Sequence, residues 1–204
     1  MLSFNFEWPE NTTRSNFSVR IDTSRNWQTD RYNPGSIIPE GALTIEQAKE
    51  IMGASFVGPE ELRECAPSLW LNVPEEVPEI PYEEEKLLEC AQHYYLIFGV
   101  SKFADGKEVT CRNLKAIFGK DPDVSEPCFY NQDWYDQEAF IDIPMSDGWY
   151  LIRKDVFEES RAVMPNELMK SLSFPSAIRC CYSFFVTWLS SGEKLWYHDF
   201  VWCS

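Results

Sequence analysis

Basic residues are scarce in this chain. Its 204 residues hold 18 Lys and Arg against 33 Asp and Glu, a net charge of −15. Such a surface repels phosphate backbones, so direct nucleic-acid binding is not expected. A basic protein partner or a cation is easier to accommodate, and the acidity alone also keeps a chain in solution. Long apolar runs are missing too. A membrane span needs roughly 18 apolar residues, and the best stretch, 174–189, is interrupted by Ser176, Arg179, Ser183 and Thr187. The first residues, Met1 to Trp8, carry no basic region and no unbroken apolar run, so no signal peptide is read there. Without secretion, the glycosylation sequons at Asn11 and Asn16 carry no meaning.

Nine glycines are scattered, and they form neither G-x-G-x-x-G, nor G-x-x-x-x-G-K-[ST], nor G-x-S-x-G. No phosphate loop and no nucleophile elbow is therefore expected. The seven cysteines include no C-x-x-C, and one pair is adjacent, Cys180-Cys181. Neighbours on a helix point about 100° apart, which places such a pair poorly for a disulfide. Most of these thiols stand among apolar residues, as buried reduced cysteines do, and a cytoplasmic compartment is read from them. Histidine occurs twice, at His93 and His198. Neither has a partner at zinc-ligand spacing, and no cofactor is expected.

What the chain has is core-forming material. It is 44% hydrophobic and 15% aromatic, which excludes general disorder. Leu2, Phe4, Phe6 and Trp8 alternate with polar residues, as do Phe17, Val19 and Ile21, so a long-looped hairpin is expected, followed by a loop over 23–41. Thr44-Ile45-Glu46-Gln47 is a capping box, and Gly53 closes its helix. Gly58-Pro59-Glu60-Glu61 opens a second short helix. Pro74, Pro78 and Pro81, spaced by Glu75, Glu76 and Glu79, read as an extended acidic connector and a boundary. A helix from Tyr82 to Gln92 and a buried strand from Tyr94 to Gly99 follow, and Thr110 caps a helix that ends at Gly119.

Residues 121–152 contain eight Asp and Glu and no Lys or Arg. Within them a short strand is expected at Cys128–Tyr130 and a short aromatic helix from Asp133 to Phe140. A strand at Gly148–Arg153, a short helix near Glu167–Leu172, a long helix from Phe174 to Ser191 and a last strand from His198 to Ser204 complete the pattern. The long helix is apolar on nearly every side, which places it deep in a core. The reading is α+β, with a mixed or antiparallel sheet and a long buried C-terminal helix. It divides into a hairpin and loop segment (1–43), a short helical segment (44–73), the connector (74–81) and an α+β domain (82–204).

Four sets of residues are candidates for chemistry. Cys90 with His93, or Cys203 with His198, offers a thiol nucleophile and base, although structural cysteines are commoner. Asp121, Asp123 and Glu126 offer oxygens for a hard cation but lack the EF-hand pattern, so a solvated loop is expected. Glu75-Glu76 and Glu83-Glu84-Glu85 stand beside prolines and read as solvated. Asp133-Trp134-Tyr135-Asp136 mixes aromatics and acids as sugar sites do, and equally fits a half-buried helix.

A resemblance adds to this. Thr44 to Gly53 with Phe56 to Leu62, then Gly148 to Lys154, then Pro175-Ser176-Ala177 opening a helix that ends Ser191-Gly192-Glu193, is similar to a family of bacterial proteins common in environmental genomes that has no assigned activity. The chain's final third resembles the first half of the C-type-lectin-like fold, shared by formylglycine-generating-enzyme relatives and retroelement-diversified binding proteins. The resemblance implies an incomplete lectin-like domain, a chain that continues past Ser204 and self-association if it is cut there. It carries over no functional residue.

The expectation is a cytoplasmic, non-catalytic binding protein for a protein or small ligand, lectin-like in its last third, without nucleic-acid or membrane contact. Its ligand-binding candidates are Asp133, Trp134, Tyr135, Asp136 and Trp202. Two alternatives stand beside it. One is an acidic inhibitor that occupies the basic surface of a nucleic-acid-binding protein. The other is a thiol-dependent enzyme.

Overall fold

The computed structural model describes residues 2–4, 43–156, 160, 163–168, 170, 174–196 and 201–203, without the side chains of residues 2–4, 165, 201 and 202. The elements in chain order are β1 (Leu2–Phe4), α1 (Ile45–Met52), β2 (Phe56–Val57), α2 (Pro59–Glu64), α3 (Glu84–Cys90), β3 (Tyr94–Gly99), α4 (Cys111–Phe118), β4 (Gly148–Arg153), α5 (Pro165–Leu168), α6 (Ala177–Ser191) and β5 (Val201–Cys203). Short 3-10 turns lie between them at Gly53–Ser55, Asp133–Gln137 and Ala139–Asp142. The fold is α+β.

The main sheet has the order β2-β3-β4 and is mixed. The central strand β3 pairs in parallel with β2, Phe56 opposite Leu96 and Val57 opposite Ile97. On its other edge it pairs antiparallel with β4 through six residues, from Tyr94↔Arg153 to Gly99↔Gly148. Tyr95 through Gly99 are all buried, so β3 shows no polar alternation. A strand covered on both faces has no solvent side to encode.

Helix α6 covers this sheet and packs against α2, α4, β2 and β3. It is buried all round from Cys180 to Thr187. Tyr182 Oη donates to the Phe98 carbonyl oxygen at 3.0 Å, which ties helix to central strand. The Phe185 ring stacks on Phe118 of α4 with centroids 3.8 Å apart. Of the two polar residues buried on α6, Ser183 and Thr187, the second is satisfied locally: Thr187 Oγ1 donates to the Ser183 carbonyl oxygen at 2.6 Å. Gly192 ends the helix in the left-handed region, at φ 76°.

Several expectations change. The connector does not divide the core. Strands from both sides of it form one sheet, and buried residues from both sides form one hydrophobic cluster. The connector is itself docked: Pro78 oxygen accepts from Trp149 Nε1 at 2.9 Å, Ile80 is buried and bridges Leu43, and Pro74 oxygen accepts from Arg63 Nη2 at 3.0 Å. Three prolines make a segment extended, but extension does not prevent packing.

Cys128–Tyr130 is not a strand; Phe129 is held by its N–H to the Gly119 oxygen at 2.9 Å. The expected aromatic helix is two 3-10 turns broken at Glu138, which is extended. Tyr135 and Phe140 are both buried, with rings 5.1 Å apart. Five residues of α-helix would turn them roughly 140° from each other. The break brings both to one side.

Strand β1 pairs antiparallel with β5, Leu2 opposite Cys203 and Phe4 opposite Val201. The expected hairpin partner at 17–21 and the loop at 23–41 lie outside the described residues. So do the final strand's outer positions, 198–200 and 204.

Candidate functional site

Four of the ligand-binding candidates named from sequence fall in one turn. Asp133, Trp134, Tyr135 and Asp136 occupy the first of the two 3-10 turns. Tyr135 is buried in an aromatic cluster with Phe129, Trp134 and Phe140. The two carboxylates face cations of α4 and its end. Asp133 lies 3.0 Å from Lys120 Nζ, which holds its carboxyl below the usual range. Asp136 lies 2.9 Å from Lys115 Nζ and 3.7 Å from Arg112. Arg112 also clasps Asp142 through two nitrogens, at 2.6 and 2.9 Å. A hollow of about 240 Å³ beside Asp136 is lined by Arg112, Lys115 and Lys120, each already paired. Trp134 alone of the four presents a ring edge, at 39% exposure. Trp202 lies in β5 opposite Ser3, and its side chain is outside the described residues.

The acidic loop at 121–126 closes on itself, with the Asp121 carboxylate accepting from the Asp123 N–H at 3.0 Å.

All seven thiols are buried. Burial pushes Cys65 up to about 11, helped by Glu64 and Glu61, and pushes Cys181 and Cys203 well up. A thiol held protonated is a poor nucleophile. The His93 N–H donates to the Cys90 carbonyl oxygen at 2.9 Å, but the imidazole is paired elsewhere; burial raises the Cys90 thiol while Lys86 opposes that rise. His93 instead donates from Nδ1 to Asp155 Oδ2 at 2.6 Å, with both side chains half-exposed. His198, the proposed partner of Cys203, is outside the described residues. Cys203 Sγ lies 3.5 Å from Cys180 Sγ.

Sequence reasoning missed a polar chain at the ends of β3 and β4. Lys154 Nζ donates to Ser55 Oγ and stands 4.9 Å over the Tyr95 ring. Tyr95 Oη donates to Glu193 Oε2. Burial, then the Glu193 carboxylate, pushes Tyr95 up to about 12. These partners lie 98 and 99 residues apart, so no local spacing could signal them. A serine beside a lysine is the outline of a nucleophile and base. Here the ammonium is the donor and the serine the acceptor, the reverse of the proton movement that would activate the hydroxyl.

A concavity lies elsewhere, between α1, α2 and the connector, with a volume of about 450 Å³. Its position follows from local sequence. The Thr44–Gln47 capping box fixes the start of α1, with Gln47 N–H to Thr44 Oγ1 at 3.2 Å and Thr44 N–H to Gln47 Oε1 at 2.9 Å. Gly58 turns β2 into α2, and Glu61 caps it by accepting the Gly58 N–H at 2.9 Å. The Phe56 ring folds back over this turn, so that a Cβ on Gly58 would meet Phe56 Cε1 at 2.4 Å. Only glycine leaves the ring room to lie against Trp149, at a centroid distance of 5.6 Å.

Phe56 and Pro59, both buried, and Ile45 and Val77, both half-buried, are the apolar residues that line the groove. The rim carries four carboxylates and two bases, 4 Glu minus Lys49 and Arg63, or −2. Both bases are engaged within the chain. Lys49 Nζ lies 2.6 Å from Glu61 and 3.3 Å from Glu60, and Glu61 holds its ammonium above the ordinary range. Arg63 is bound to Pro74 oxygen. Glu46 and Glu75 make no ion pair with a described residue, and the helix-end N–H and the Thr44 hydroxyl keep the Glu46 carboxyl low. The rim's unmet charge is negative.

Among the described residues no helix is long and apolar enough to cross a membrane, and no cluster of three His, Cys, Asp or Glu side chains could hold a metal ion. No protein-family model matches the chain, and no curated protein and no solved structure matches it.

Proposed function

We propose that this protein is a non-catalytic binding protein and that the groove between α1, α2 and the connector is its binding surface. The observation that carries the reading is the groove itself. Its volume falls in the range of roughly 300–1,000 Å³ usual for ligand sites. It joins an apolar lining to a small set of charged groups, which is how such sites combine affinity with orientation. The burial of the thiols and the donor role of Lys154 toward Ser55 favour binding over nucleophilic chemistry. The lectin-like form of the reading rests on the sequence resemblance of the last third.

The test is a set of amide correlation spectra recorded with capped single amino acids, N-acetyl-leucine methylamide and its arginine and glutamate counterparts. The reading expects shifts gathered at residues 45–49, 56–63 and 75–77 with at least one probe. Shifts gathered instead around Trp134, or none with any probe, would remove the groove as the binding surface.

A further inference from the structure

Taking the groove as the binding surface, its charge defines its occupant. Four apolar side chains line it, and its two bases are already held, by Glu60 and Glu61 and by Pro74 oxygen. Two carboxylates that line it, Glu46 and Glu75, make no ion pair with a described residue. An anionic occupant, a phosphate chain included, would meet repulsion from both and from a molecule of net charge −15. A neutral apolar occupant would strip water from two carboxylates and give nothing back. A cation on an aliphatic stem meets both demands, because Lys and Arg lay their methylenes on apolar surface and keep the charge at the rim.

We infer that the groove takes a basic segment of another protein chain, seating a Lys or Arg stem against Ile45 and Val77 with its charge between Glu46 and Glu75. This inference rests on the binding reading above and adds the chemical class of the partner. Glu75 belongs to the connector, which Arg63 and Trp149 pin in place. The acid is thus presented by a docked segment, which lowers the ordering cost of binding.

The experiment uses the full chain and three fluorescent peptides of one length and one leucine spacing, with Arg, Gln or Glu at the polar positions. Anisotropy titrations are run at low and high salt. An acidic protein attracts any basic peptide, so the decisive comparison is between two double variants of equal charge. Glu46→Gln with Glu75→Gln neutralises the rim. Asp123→Asn with Glu138→Gln removes two acids away from it. The rim variant should weaken the Arg peptide by roughly tenfold, as two partly exposed ion pairs do, and the remote variant by less than about twofold. Equal weakening by both pairs would mean diffuse attraction only and would overturn the inference. Equal binding of the Gln and Arg peptides, both weakened by Val77→Asp, would also overturn it while leaving the groove as the binding surface. Amide shifts from the Arg peptide that fall outside 45–63 and 75–77 would defeat the groove reading itself. Thermal melts of each variant separate lost binding from lost folding.

Discussion

At the scale of single residues, protonation states carry the account. Folding raises the Cys65 thiol from 9.0 to about 11 and the Tyr95 phenol from 10.0 to about 12, in both cases chiefly by burial. A raised value means that the folded state holds its proton more tightly than the unfolded one. The stability this contributes is complete below pH 9.0 and is lost as pH rises through about 11 for the thiol and about 12 for the phenol. Melting temperature should therefore fall steadily above pH 9, and Cys65→Ala should flatten the first part of that fall. An unchanged slope in the variant would contradict the assignment. The buried thiols Cys180, Cys181 and Cys203 should react slowly with an aromatic disulfide reagent in the native protein and at once after denaturation. Fast stoichiometric labelling of a native thiol would restore the enzyme reading. Burial of the cysteines was legible in their apolar neighbours. The Lys154–Ser55 and Tyr95–Glu193 contacts were not, because strand pairing sets the first and the packing of α6 on the sheet the second, and no short pattern encodes either.

At the scale of elements, periodicity and caps located most of the regular structure. The capping box gave α1, Gly58-Pro59 gave α2, Thr110 and Gly119 bounded α4, and the apolar runs gave β3, β4 and α6. The failures have physical causes. Cys128-Phe129-Tyr130 has strand-forming residues but no strand partner, so it packs as a loop beneath α4 with its backbone tied to Gly119. The two residues of β2 are too few to show a period, and their parallel pairing depends on a strand some forty residues on. Two substitutions test the elements. Thr44→Ala removes the cap of α1 and should cost about 1 kcal/mol, measured by chemical denaturation. Phe185→Ala empties the stack on Phe118 and should cost about 3–5 kcal/mol. A loss below about 1 kcal/mol there would mean that α6 is not the packed centre.

At the scale of the whole molecule, charge along the chain and charge in space differ. The base-free stretch 121–152 looks like a cation site in sequence. Folded, it lies against α4, whose Arg112 and Lys115, with Lys120 just beyond, pair with Asp142, Asp136 and Asp133. Millimolar calcium should accordingly shift the melting temperature by no more than about one degree, since only a specific site stabilises by mass action. A shift of several degrees would mean that these acids are more available than their pairing implies. The connector gives the converse lesson. It reads as a boundary, yet it is part of the core and forms one wall of the groove, because Trp149 and Arg63 hold its backbone oxygens. The groove was invisible in sequence for that reason: three segments build it, and the capping signals that two of them carry mark helix starts and no ligand.

The most direct measurement of the central claim is hydrogen exchange of the full chain, read by mass spectrometry with and without saturating Arg–Leu peptide. The account predicts slowed exchange in peptides covering residues 45–63 and 74–77, with 132–142 unchanged. Protection confined to 132–142, or spread evenly over the molecule, would contradict it.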